Sequence, residues 1–474
     1  MTLTGPGVPT PMSIKLDPGS SMVDMFSAVR NDPYPVLLDS ALTSPNLGRF
    51  SYLTSDPFLV LRSKGRRVEI ESAGSLRRLD ANPFTVLKDL LGRFSLQPVP
   101  GLPPFQGGVM GYFSYELAHH LEILPYQAID DLRLPEMTIG FYDWAISRDH
   151  VTGDTWAMAT GLPEGSGTAA SRRLDWVRER VHQAPPYASS TGPESWANGL
   201  ESNFSRDAYL RVVETVKKYI AEGDIYQANI SQRFAAPISC EPWDLYLRLR
   251  EVSPAPFAAY LGYPEVTVLS ASPEEFLRLS KGTVQTRPMK GTCPRGSDPV
   301  EDRRMAAELL ASEKERAENI MIVDLMRNDL GKVCIPGSIE VPELFAVEKY
   351  PTVYQMVSTV KGKPLTGVDA VDILAACFPG GSVTGAPKIR AIEIIDELEP
   401  TQRSVYCGAI GYIGFDGSML TSIPIRTLLV KGETAYFQVG GGIVADSTPE
   451  AEYEETLDKA RGSLAALGVR LTGC

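Results

Sequence analysis

The stretch from Ser272 to Thr292 commits this part of the chain to an antiparallel pairing. Residues 275–279 and 283–286 read as two short strands. Ser280-Lys281-Gly282 between them has turn chemistry, and Gly282 is free to take φ > 0. Read as a β-hairpin, the segment places Glu274 and Lys290 at equal distances from Gly282. Residues opposite one another in such a pair lie about 5 Å apart at Cβ. A carboxylate and an amine then meet at the open end, each beside a proline that ends the ladder. Taken alone, this is a cross-strand salt bridge on a surface.

The length of 474 residues suggests about three domains, although one large unit could absorb much of it. Hydrophobic content of 43% and charged content of 22% are ordinary globular values. A net charge of −12 without a basic block argues against a nucleic-acid partner. No apolar run reaches membrane-spanning length, and residues 1–11 lack a signal-peptide pattern and read as a frayed tail. The expectation is a cytoplasmic protein with no membrane partner. The six cysteines form no CxxC pair and read as free thiols of a reducing compartment. The four histidines (His119, His120, His150 and His182) all precede residue 200. Chemistry in the second half must then rest on carboxylates, Lys or Tyr.

The chain divides into a tail and lead-in (1–33), a first region (34–184), a Pro/Ser/Gly-rich linker (185–204) and a second region (205–474). In the first region, strands are expected at 36–38, 48–53, 58–62, 68–71, 107–113, 137–147 and 155–159, with helices at 83–94 and 169–183. The second region opens with a helix capped by Ser205 and a strand over 225–234. Gln227, Asn229 and Ser231 share one face of that strand, which alone reads as a solvent face.

A long helix is expected over 302–325. It sets Glu315 and Glu318 on one side at i, i+3 spacing. Glu452 and Glu455 repeat the spacing on a helix over 451–467, with Lys459 one turn on. Either pair alone is a solvated helix face, worth about 0.2–0.5 kcal/mol. Two such pairs, with no histidine and no cysteine cluster in this half, suggest an all-oxygen site of the kind that suits Mg²⁺. Between them, the glycine-rich turn from Phe378 to Lys388 feeds a helix whose N-terminus could bind an anion. The turn lacks P-loop spacing. A strand over 405–415 holds Tyr406. One over 419–430 holds Arg426, a cation in an apolar run that could grip a carboxylate. Gly440-Gly441-Gly442 would let a ligand reach backbone N–H groups.

Together these segments resemble the chorismate-utilising enzymes, and within them the aminodeoxychorismate synthase branch (component I). The signals are Ile225-Tyr226-Gln227, Ser272-Pro273-Glu274, Thr286-Arg287-Pro288-Met289-Lys290-Gly291-Thr292, Arg316-Ala317-Glu318-Asn319, the 378–388 turn, Gly440-Gly441-Gly442-Ile443-Val444 and Glu452-Tyr453-Glu454-Glu455-Thr456. They span 205–460, and residues 34–150 resemble the N-terminal region of anthranilate synthase component I. The resemblance implies an α+β fold: two large antiparallel β-sheets packed face to face, helices outside, and the active cleft between the sheets. It implies Glu318 and Glu455 as Mg²⁺ ligands, with Glu315 and Glu452 acting through water. Tyr406, Arg426, the Gly440 and Gly442 backbone and Lys459 would hold the carboxylates of chorismate. Thr384 and Gly385 would line the ring pocket, and Glu274 would protonate the departing C4 hydroxyl.

Two positions discriminate within the family. Relatives that add water typically carry a lysine base where this chain has Gln227. A neutral amide cannot deprotonate water, so a pre-formed nucleophile such as ammonia is favoured. Anthranilate synthases typically have alanine where this chain has Lys290, whose amine would attack C2 and later be displaced as ammonia adds at C4. Gln355 stands where many relatives have histidine. Leu37-Leu38-Asp39-Ser40 resembles a tryptophan pocket, yet Ala258 and Ala259 replace larger side chains, so weak or no tryptophan inhibition is expected. No glutaminase nucleophile motif is visible, which implies a separate glutamine amidotransferase subunit as the ammonia source. The alternatives are anthranilate synthase component I and a non-catalytic scaffold that binds an amidotransferase.

Overall fold

The computed structural model describes residues 8–17, 19, 21–43, 47–183, 196–197, 199–350 and 353–469. Most of the expected tail and most of the expected linker lie outside the described residues. Two antiparallel sheets organise the rest. The first runs Met12–Leu16, Thr155–Ala159, Trp144–Asp149, Phe50–Thr54, Val36–Asp39, Phe257–Gly262, Thr267–Ser272, Thr427–Lys431, Thr434–Ile443, Gln227–Pro237, Glu201–Ser202. The second runs Met289–Pro294, Val353–Gly362, Thr283–Thr286, Glu275–Ser280, Met419–Ser422, Ala409–Gly414, Gly108–Phe113, Met137–Tyr142, Leu59–Lys64, Arg67–Ser72, Ser75–Asp80. Strands from both sides of the 185–204 segment share each sheet.

Side-chain alternation explains the layering. Val36, Tyr52, Val60, Val268 and Leu429 point into a core between the sheets, with Tyr112 and Tyr412. Their neighbours Leu37, Leu53, Leu269 and Leu428 point outward, against Phe26, Leu174, Trp243 and Leu464 of the helices covering the first sheet. Leu61 likewise turns outward to Leu87, Ile322 and Leu374 on helices covering the second. Successive residues face opposite ways along a strand. Strands buried on both faces therefore read as continuous apolar runs.

Such runs hide the places where the chain changes sheet. The expected strand over 137–147 is two strands, Met137–Tyr142 in the second sheet and Trp144–Asp149 in the first, divided at Asp143. The expected strand over 419–430 is likewise Met419–Ser422 and Thr427–Lys431, in different sheets. Arg426 lies in the connection, not in a strand, and its φ of 52° is left-handed. Tyr406 also precedes its expected strand, which begins at Ala409. Gly440 to Gly442, by contrast, lie inside the Thr434–Ile443 strand.

The expected 302–325 helix is two helices, Pro299–Ala311 and Glu313–Gly331. Ser312 is extended (φ −65°, ψ 112°), and its hydroxyl accepts from the Glu315 N–H as the cap of the second helix.

Candidate active site

The hairpin turns one half-step earlier than its glycine suggested. Leu279 pairs with Val284 and Ser280 with Thr283, so the turn is Lys281-Gly282, both at positive φ (50° and 72°). Such two-residue turns match the twist of the flanking strands. Glu274 is therefore not the register partner of Lys290, and the hairpin ladder ends at the Arg278–Gln285 pair. Lys290 begins again in the Met289–Pro294 strand, which pairs with Val353–Gly362. Met289 faces Val357 and Thr292 faces Gln355, so Lys290 and Gly291 together oppose Met356. This bulge re-aims the lysine. It needs Gly291, whose φ is 91° and where a Cβ would fall 2.9 Å from Glu315 Oε2.

Glu274 sits where the chain leaves the first sheet for the second, and Arg426 where it returns. The two crossings are stitched together. Ile423 N–H donates to the Glu274 carbonyl at 3.1 Å, Ser272 Oγ to the Ile423 carbonyl at 2.5 Å, and Ala271 N–H to the Arg426 carbonyl at 3.0 Å. Glu274 is buried and its Oε1 accepts from Ser382 Oγ at 2.6 Å and from Met289 N–H at 3.4 Å. Burial pushes its carboxyl up to about 7, against the pull of the Ser382 bond and of Lys290. The Arg426 guanidinium has no hydrogen-bond or ion-pair partner among the described residues, and desolvation holds its pKa below the ordinary value.

Lys290 shares the electrostatic field of Glu318, Lys459, Glu274 and Glu455. Desolvation outweighs the acidic neighbours, and its pKa is lowered. A Cβ built at Gly442 would collide with the Gln227 amide and lie 2.9 Å from Lys290 Nζ, so the three meet at one point. Gln227, Asn229 and Ser231 are at most 6% exposed, which overturns the solvent-face reading. Ser231 N–H and Oγ donate to Glu399 Oε1, Asn229 N–H donates to the Thr384 carbonyl, and the Asn229 carbonyl accepts from Arg403. Among the described residues, both amide atoms of Gln227 are buried without a partner, as is Gln355 Oε1.

Thr384 Oγ1 turns back to the Gly380 carbonyl at 3.0 Å, and Gly385 pairs with Ala228. Tyr406 is buried with its ring under the Arg403 guanidinium. Lys459 Nζ donates to the Gly440 carbonyl at 2.9 Å and bridges Glu455 at 2.6 Å. Partial desolvation would raise Glu455, but the Lys459 ammonium outweighs it and holds the carboxyl low. Glu452 Oε1 accepts from Ser447 Oγ at 2.6 Å while its Oε2 is buried and unpartnered. Glu315 is raised by desolvation and then by Glu318. Among the described residues no three His, Cys, Asp or Glu side chains stand close enough to hold a metal ion together.

A cavity of about 1200 Å³ lies elsewhere between the sheets. Asp39, Ser40 and Pro256 to Ala259 line it together with the hairpin turn Leu279–Gly282, and Glu274, Lys290, Gln227 and Arg426 do not.

The profile of the chorismate binding enzymes matches residues 50–465. The chain belongs to this family. Over 92% of its length it is 43% identical to aminodeoxychorismate synthase component 1 of Salmonella typhimurium, covering 93% of that protein. Over 95% of its length it is 40% identical to anthranilate synthase component 1 of Streptomyces coelicolor, covering 87% of that protein. The crystal structure of anthranilate synthase component I from Streptococcus pneumoniae superposes with a TM-score of 0.79 at 32% identity, over 89% of this chain and 92% of that one. The expected fold of two antiparallel sheets with outer helices is the one observed. No helix among the described residues is long and apolar enough to cross a membrane.

As a chorismate binding enzyme, the chain holds its candidate residues with two groups that motif reading passed over. One is Ser382, visible only as a polar residue in the glycine-rich turn. The other is the buried Glu399–Arg403 pair, signalled by opposite charges one helical turn apart around Pro400.

Proposed function

We propose that this chain is the chorismate-aminating component of an aminodeoxychorismate synthase. It would convert chorismate and ammonia to 4-amino-4-deoxychorismate, for p-aminobenzoate and folate biosynthesis. Global identity to the two kinds of relative differs by only 3 points (43% against 40%), so local chemistry carries the choice. The carrying observation is a lysine amine, lowered in pKa by desolvation, beside a buried carboxyl raised to about 7.

In this reading the neutral Lys290 amine gives its lone pair to C2. The ring double bonds shift toward C4, the C4–O bond breaks, and Glu274 delivers the proton that lets the hydroxyl leave as water. Ammonia then adds at C4, the double bonds shift back, and Lys290 leaves C2. The unpartnered Arg426, with Lys459 and the Gly440–Gly442 strand, would hold the substrate carboxylates. Tyr406 would join them, and Thr384 and Gly385 would shape the pocket around the ring. Gln227 supplies an amide rather than a base, consistent with ammonia rather than water as the nucleophile.

The acidic residues fit a Mg²⁺ ion. Glu452 Oε2 is an orphaned buried acceptor, and Glu315 is raised by burial and its like-charged neighbour. Glu318 and Glu455 would hold the ion, with Glu315 and Glu452 acting through water. This matches the habit of Mg²⁺ of taking one or two carboxylates plus substrate oxygens. Bound there, it would offset substrate and protein negative charge. Relatives named component 1 support a separate glutamine amidotransferase as ammonia source. Ala258 and Ala259 on the wall of the large cavity support weak or absent inhibition by tryptophan.

Incubation with chorismate, Mg²⁺ and ammonium should yield 4-amino-4-deoxychorismate by chromatography. Anthranilate plus pyruvate as sole products would sink the proposal in favour of anthranilate synthase. The kcat/KM profile should be bell-shaped. Only the free Lys290 amine attacks and only the acid form of Glu274 donates, so activity falls at both low and high pH. The two groups interact, so the limbs belong to the pair. A flat profile across pH 6 to 9 would contradict these roles.

A further inference from the structure

We propose that Ser382 is the positioning residue of the Glu274 acid, fixing which carboxyl oxygen carries the transferable proton. The inference rests on the reading of Glu274 as general acid. Glu274 Oε1 receives two donors, Ser382 Oγ–H at 2.6 Å and Met289 N–H at 3.4 Å. Oε2 has no hydrogen-bond partner among the described residues. An oxygen that accepts twice is the carbonyl oxygen of a neutral carboxyl group, so the proton resides on Oε2. The acid is then held in one tautomer and one orientation before substrate arrives.

The loop that carries Ser382 is built to hold it still. Lys388 Nζ donates to the carbonyls of Cys377 at 2.8 Å and Pro379 at 2.7 Å and pairs with buried Asp329. Thr384 Oγ1 closes the other side on Gly380. The two glycines before Ser382 let the loop lie flat on its supports. A Cβ at Gly380 would meet Ile423 Cδ1 at 2.6 Å, and one at Gly381 would meet Leu325 Cδ2 at 2.8 Å. Ile423 belongs to the connection whose N–H binds the Glu274 carbonyl, so acid and hydroxyl are tied to one support.

The hydroxyl also tunes the acid. Among the described residues, the titratable groups acting on Glu274 are Lys290 and Cys407, and burial pushes the Cys407 thiol up to about 12, which keeps it neutral. Removing Ser382 Oγ deletes a donor that stabilises the carboxylate, so the Glu274 pKa rises further.

The test compares wild type, Ser382→Ala, Ser382→Thr and Glu274→Gln with chorismate, Mg²⁺ and ammonium across pH. Ser382→Ala should lower kcat about 10–100-fold through misorientation. It should leave the KM for chorismate within a few-fold and move the limb governed by Glu274 upward. Ser382→Thr keeps the hydroxyl and should restore both kcat and the limb. A merely structural role would lower kcat without moving the limb, and that result, with Glu274→Gln inactive, overturns the inference. Glu274→Gln with undiminished kcat overturns the acid reading itself, and the inference with it.

Discussion

Replacing Lys290 by alanine is expected to cut amination of chorismate by about 100-fold or more, with no covalent adduct on the chain. The lysine is held in a bulge, re-aimed by Gly291, and shares one point with Gln227 and Gly442. Alanine removes the amine without disturbing the ladder, since the bulge depends on the glycine beside it. Mass spectrometry of enzyme quenched with chorismate in the absence of ammonium should find the adduct on wild type and lose it in the variant. A variant that keeps wild-type turnover would place the chain with the anthranilate synthases, whose residue here is typically alanine. Desolvation lowers the pKa of the Lys290 amine, the direction that the proposed attack requires. An exposed lysine would be almost wholly protonated at neutral pH.

Arg403→Ala should destabilise the fold by about 3–5 kcal/mol, the usual cost of stranding one partner of a buried ion pair. That is a large part of the roughly 5–15 kcal/mol that holds a typical domain folded. The Arg403 side chain is 2% exposed and that of Glu399 3%. Nε and Nη2 reach Glu399 at 2.9 and 2.6 Å, Nη1 donates to the Val383 carbonyl at 2.8 Å, and Nη2 also donates to the Asn229 carbonyl. The guanidinium stacks over Tyr115. Its loss leaves the buried Glu399 carboxylate with Ser231 as its one donor residue among the described residues and frees the Val383 and Asn229 carbonyls. Denaturant unfolding reads the loss directly, and a change below about 1 kcal/mol would contradict the assignment. Arg403→Leu combined with Glu399→Leu should recover part of the stability, because neither charge is then buried alone.

The sequence made most strands legible, because period-2 alternation and turn residues bracket them. It hid the sheet changes at Asp143 and Arg426, because the apolar segments on either side read as one continuous strand and a single charged residue within such a run does not signal a change of sheet. It hid the break at Ser312, because the helical spacing of charged residues continues across it. The hairpin was legible, but not its register, because Lys281 joins Gly282 at positive φ and shifts the turn by half a residue. The acid and the amine still face one region, through a crossing and a bulge rather than through opposition on one ladder. The Gln227 face looked solvated because polar residues on a strand usually are. Its cover comes from Thr384, Glu399 and Arg403, more than 150 residues away.

The interleaving of early and late strands bears on how this chain could be shortened. Cutting away everything before residue 185 would strip Val36–Asp39 from Phe257–Gly262 and Gly108–Phe113 from Ala409–Gly414. Each surviving sheet would then end on a long, apolar, unpaired backbone edge. Such an edge is a template for another copy of itself. The part of the molecule before residue 185 is thus its guard against self-association as well as part of its framework, and a minimal enzyme cannot be reached by trimming from the front.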